Sequence, residues 1–162
     1  PADLVAQYKM LMQIRDRTTD ANDAVRTVRN VRSQVVARSR QVGADSAQYA
    51  LLIRALDTRI SELEAKIYQV KNQSGQDPLN YPIRVNNRLA NLLSMAERGD
   101  GRPTTNMPEI FGILDAELKG YEVKLQQVWA RDLAAVNKEL ARLGLPVLDP
   151  KCEKLEGCAP LP

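Results

Sequence analysis

The chain has 162 residues, 44% hydrophobic and 27% charged, which is room for one domain with a sizeable core and too little for two ordinary ones. Aromatics make up only 4% and histidine is absent, which disfavours aromatic-rich strand folds and excludes Ser-His-Asp triads, Cys-His dyads, His-ligated zinc and Glu-x-x-His di-iron pairs. A formal charge of +3, from 23 basic and 20 acidic residues, is too even to imply a polyanion partner by itself.

Residues 3–42 contain no Pro or Gly, and Leu4, Tyr8, Leu11, Ile14, Thr18, Ala21, Val25 and Val28 recur at intervals of three or four. Val35 and Val42 continue at sevens, with Arg32 and Ser39 in the seam positions between. Such a heptad-like stripe predicts a helix of roughly 60 Å, closed by Gly43. Asp45 and Gln48 read as a capping box for a second helix over 46–72, whose stripe is Tyr49, Ile53, Leu56, Ile60, Leu63, Ile67 and Val70. The breaker-rich run 72–82 is a connector. A short third helix over 81–98 follows, with Pro82 in its first turn and Val85, Leu89, Leu92 and Ala96 inward.

Gly99 to Pro103 ends that helix, and Asn106 caps a fourth over 107–143 with Met107, Phe111, Leu114, Leu118, Tyr121, Leu125 and Val128 as its stripe. Gly112 and Gly120 mark a close approach of a neighbour. After Trp129 the register slips by one residue to Leu133, Val136, Leu140 and Leu143. Gly144 and Pro146 stop the helix. Short connections favour antiparallel neighbours, so the expected fold is all-α: an elongated up-down-up-down bundle over 1–146 with coiled-coil-like long helices, and an irregular tail over 147–162. The short third helix leaves one end thin, and a thin end exposes part of its seam to another domain or chain. Val28, Val35, Leu133, Val136 and Leu140 are the expected contact residues.

Arg26, Arg29, Arg32, Arg38 and Arg40 follow one another in the first helix with no acid between. Phosphate contact is the alternative function this suggests, against a solvated face paired with acids such as Asp57, Glu62, Glu64 or Glu122. Asp115 and Glu122 lie about two turns apart, but acids on a narrow helical surface lack the cleft that a glycosidase pair requires. The polar cluster Asn86, Asn87, Asn91, Arg84 and Arg88 is expected to satisfy the connector's backbone, with a carbohydrate or peptide pocket as the other reading. Cys152 and Cys158 suit a small-loop disulfide, with free thiols or a metal ligand pair as alternatives. No apolar run is long enough to span a membrane. The chain begins at Pro1, and we read it as a processed product or an excised domain.

The run Gln76-Asp77-Pro78-Leu79-Asn80-Tyr81-Pro82-Ile83-Arg84-Val85-Asn86-Asn87-Arg88-Leu89-Ala90, followed by Gly99-Asp100-Gly101-Arg102-Pro103-Thr104, resembles the C-terminal helical region of bacterial secreted sortilin-like proteins. Gln13-Ile14-Arg15-Asp16, Ala24-Val25 with Val28-Arg29, and Leu143-Gly144-Leu145-Pro146 agree with it too. The family's β-propellers carry BNR (Asp-box) repeats and a glycosyl hydrolase label. The chain has no Ser-x-Asp-x-Gly-x-Thr-Trp box, so no propeller residue maps onto it and the hydrolase label does not transfer. The resemblance implies an extracellular or periplasmic parent. The expected function is a non-catalytic helical domain, with no cofactor or metal, that docks on its propeller, spaces it or assembles with copies of itself. Nucleic acid is not an expected partner.

Overall fold

The breaker-free start of the chain forms one helix, α1, Ala2–Val42. The structure is a computed structural model and describes residues 2–42, 46–98 and 101–151. Gly43 and Asp45 therefore lie outside the described residues, as do Gly99, Asp100, Cys152 and Cys158 with their proposed disulfide. Four further helices follow: α2 (Ala47–Ile67), α3 (Val85–Ala96), α4 (Met107–Val128) and α5 (Ala134–Arg142). No strand occurs among the described residues, and the fold is an all-α helical bundle.

Local chemistry sets the boundaries. Ser46 caps α2, its hydroxyl accepting the Tyr49 N–H at 3.1 Å. The second helix stops at Ile67, not at residue 72 as its stripe suggested. Gln69 is buried there, its side-chain amide donating to the Pro82 carbonyl at 2.8 Å and accepting the Lys71 N–H at 3.3 Å, while Val70 is left exposed. The connector contains a 3₁₀ turn, Asp77–Leu79, and the Asp77 carboxylate accepts the N–H groups of Gln73 and Ser74 at 2.6 and 2.7 Å. Because Pro82 is tied back to Gln69, α3 begins at Val85 after an extended Arg84, and Pro82 lies outside its first turn.

The register slip after Trp129 is a π-helical turn, Trp129–Leu133, in which the Ala134 N–H reaches the Trp129 carbonyl. One extra residue is absorbed there, and Val128 and Leu133, five apart, are both buried. After α5 the chain turns at Gly144, whose φ of 71° is open to glycine. Its N–H bonds Ala141 O at 3.1 Å and the Leu145 N–H bonds Leu140 O at 2.9 Å, a Schellman closure. Gly112 and Gly120 do not mark close packing as expected, since a Cβ on either would meet nothing within 4 Å.

The chain divides into two compact units, Pro1–Ala24 with Glu64–Glu122, and Val25–Leu63 with Val123–Pro162. In the first, α1 and α3 run antiparallel, since Gln7 donates to Ala96 O at 2.9 Å and Asn86 to Asn22 at 3.4 Å. Ile14, Val85, Leu89, Leu114 and Leu118 form its core. In the second, α1 and α2 are antiparallel through Arg32 with Asp57 (3.0 Å) and Ser39 with Tyr49 (3.5 Å). There α2 also opposes α5 through Ser46 with Glu139 and the π turn through Arg59 with Asp132. Each buried leucine or isoleucine stabilises by about 1.5–3 kcal/mol against an exposed ion pair's roughly 0–1 kcal/mol, so the apolar stripes dominate both units.

Candidate functional site

Val28, Val136 and Leu140 are fully buried and Leu133 is 4% exposed, so these seam residues form the core of the second unit and are not available to a partner. Val35 is half-buried. This corrects the expected contact set: the seam is closed within the unit by the chain's own antiparallel helices. The buried line of α1 there runs through Val28, Val31, Gln34 and Arg38, with Ser39 turned outward.

The five arginines do not form one face. Arg38 is 2% exposed, and its Nε donates to the Pro146 carbonyl at 2.7 Å. Arg32 pairs with Asp57 at 3.0 Å and donates to Ser61 Oγ at 2.5 Å. Arg26, Arg29 and Arg40 are exposed, and the first two also have partners within the chain. Two of the five side chains proposed for polyanion contact are thus spent on the fold.

Asp115 and Glu122 meet on Arg17. Its Nε stands 2.7 Å from Asp115 Oδ1, and its two terminal nitrogens reach Glu122 at 3.1 and 2.9 Å. Burial alone lowers the guanidinium pKa, but hydrogen bonds to Glu122 and Asp20 and the charges of Glu122 and Asp115 hold it above its ordinary value. The carboxylate pair is therefore bound into an ion network. In the polar cluster of α3, Asn86 bonds Asn22 and Arg88 pairs with Glu117 at 2.7 Å. The bond to the connector's Pro82 carbonyl comes from Gln69, which the sequence reading did not single out.

Apolar side chains do reach the surface of the first unit. At the start of α1, Leu4 is 50% exposed, Val5 53% and Tyr8 62%, because Gln7 and Met10 take the inward positions. On the other face of α1, Ala6 and Met10 line an open groove of about 540 Å³ with Pro103 and Pro108. Met95, 57% exposed, lines a smaller neighbouring hollow with Gln7 and Met107.

One arrangement was not anticipated. In the second unit the segment after Gly144 lies against α1 and α5 and is held by two side-chain amides. Asn137 donates to the Leu148 carbonyl at 2.9 Å and accepts its N–H at 2.8 Å. Gln34 donates to the Asp149 carbonyl at 2.8 Å and accepts its N–H at 2.9 Å. Leu148 is 2% exposed while Val147 is 49% exposed. The only sequence signal for this was that Gln34 and Arg38 fall at stripe spacing from Val31.

Among the described residues, no three His, Cys, Asp or Glu side chains gather to hold a metal ion, and no helix is long and apolar enough to cross a membrane. The molecule is of the class of all-α helical bundles whose surfaces offer grooves and exposed apolar ends. No protein-family model, curated protein or solved structure matches the chain.

Proposed function

We propose that this chain is a non-catalytic helical domain of an exported sortilin-like propeller protein, and that it docks on that propeller. The observation that carries the proposal is the apolar start of α1, where Leu4, Val5 and Tyr8 are all half or more exposed on one face of the helix. Three large apolar side chains within two turns of one helix face form a patch of the kind that marks a protein contact. The resemblance around residues 76–90 supplies the propeller as the partner, and export follows from the parent's class. The polar side chains support a structural role, because Asp115, Glu122, Arg32 and Arg38 are engaged by the chain's own side chains and backbone.

The test is association of the purified chain with its parent propeller, produced separately, by analytical ultracentrifugation. A complex that is lost in a Leu4→Glu, Tyr8→Glu double variant supports the reading. Absence of a complex, or a complex indifferent to the double variant, defeats it. Concentration-dependent dimerisation of the chain alone, abolished by the same variant, instead assigns the patch to a second copy.

A further inference from the structure

The two amides that hold residues 148 and 149 read only backbone. Each takes both the N–H and the carbonyl of one residue, as a neighbouring strand does in an antiparallel sheet. In an extended segment these paired groups point to opposite sides at successive residues. Asn137 of α5 accordingly serves Leu148 while Gln34 of α1 serves Asp149, so that a different helix holds the segment at each of two successive residues. The one side chain taken in is Leu148, and Val147 beside it faces solvent. Arg38 adds a third backbone contact at Pro146 O. Donors and acceptors are thus fixed on buried or half-buried side chains, and the specificity of the cleft resides in a single apolar anchor.

From this we propose that the α1–α5 cleft is a binding site for extended peptide segments with a leucine-sized anchor and free N–H groups at the anchor and the next residue. Residues 145–151 are its occupant in cis. The tether at Gly144 gives this occupant a local concentration in the millimolar range. A peptide from elsewhere therefore enters only when the cis anchor is weakened or the peptide concentration rivals that of the tether. The inference concerns the second unit and stands independently of the propeller reading.

The experiment uses the full chain and a fluorescent synthetic peptide of residues 145–151, followed by anisotropy. In a Leu148→Ala chain that keeps wild-type helicity, the peptide should bind about tenfold or more tightly than it binds the wild-type chain. Methylating the peptide nitrogen that corresponds to Leu148 removes the donor to Asn137 and should weaken binding by about tenfold. A folded Leu148→Ala chain that takes the peptide no better than wild type overturns the proposal, as does a methylated peptide that binds unchanged. Should Leu148→Ala fail to fold, hydrogen exchange on the wild-type chain decides. Excess unlabelled peptide at tens of millimolar should then strip protection from the protein's own Leu148 and Asp149 amides, and unaltered protection overturns the idea.

Discussion

Arg17 of α1 grips Glu122 of α4 with both terminal nitrogens, 105 residues away in sequence, while its Nε faces Asp115 at 2.7 Å. All three side chains are largely shielded, at 17, 30 and 20% exposure. Removing the cation leaves two shielded carboxylates without their shared partner, although Lys119 stays 2.7 Å from Asp115. Arg17→Ala should therefore cost about 2–3 kcal/mol in urea unfolding, well above a surface pair. Arg17→Lys should recover little of it, because an ammonium cannot reproduce a two-pronged contact and a third one together. A loss under 0.5 kcal/mol for Arg17→Ala, a value typical of roughly any surface change, contradicts this account.

Glycine has opposite consequences at three positions. Gly112 and Gly120 sit inside α4 with nothing within 4 Å of a added methyl group, so Gly112→Ala and Gly120→Ala should each stabilise by about 0.5–1 kcal/mol. Gly144 also has open space, but its φ is +71°. Gly144→Ala should destabilise by about 1 kcal/mol through backbone strain. Thermal melts of the three variants compare the signs directly.

Two carboxylates make stability depend on acid. Asp77 is held below its ordinary pKa by the N–H groups of Gln73 and Ser74. Glu139 is held below its own by Arg142 chiefly, with Ser46 assisting, against the opposing effect of burial. For both, the folded pKa lies under the unfolded one, so the unfolded chain binds more protons between the two values and stability rises with pH there. Their contribution is complete above the ordinary carboxylate value of about 4 and is lost as pH falls through the folded values. Urea unfolding from pH 7 downward should show this loss, and Asp77→Asn and Glu139→Gln should each flatten the acid limb.

The π turn makes a prediction about deletion. With Ala130 removed, the residues now at 125, 128, 133, 136 and 140 recover a regular three-four spacing on an ordinary α-helix. The deleted chain should keep the same buried side chains and a cooperative transition, within about 1 kcal/mol of the original. Loss of cooperative unfolding, followed by circular dichroism, argues that the π turn itself is required.

Helix positions and the slip at Trp129 were legible because they follow from spacing along one chain. The one-residue slip in the stripe is, in the structure, one wide π-helical turn. The overlong second helix shows the limit of such reading. Val70 fits its stripe, but Gln69 bonds a carbonyl at Pro82 that periodicity cannot foresee. Arg38 illustrates the same limit more sharply. A lone arginine in a basic run reads as solvated, and its burial depends on a carbonyl 108 residues downstream. The amides of Gln34 and Asn137 carry no local signature either, since their partners are backbone groups of a segment that has no helical or strand pattern of its own.

The bond from Arg38 to Pro146 also has a consequence for the order in which the molecule is made. During synthesis α1 emerges before the segment it holds, and the bond from its Arg38 to the Pro146 carbonyl forms only once residue 146 has left the ribosome. The tail contacts are among the most distant in the chain, and ordering so long an intervening loop delays them further. The second unit is thus built to close late, with the segment after Gly144 set in place only after the helices that hold it.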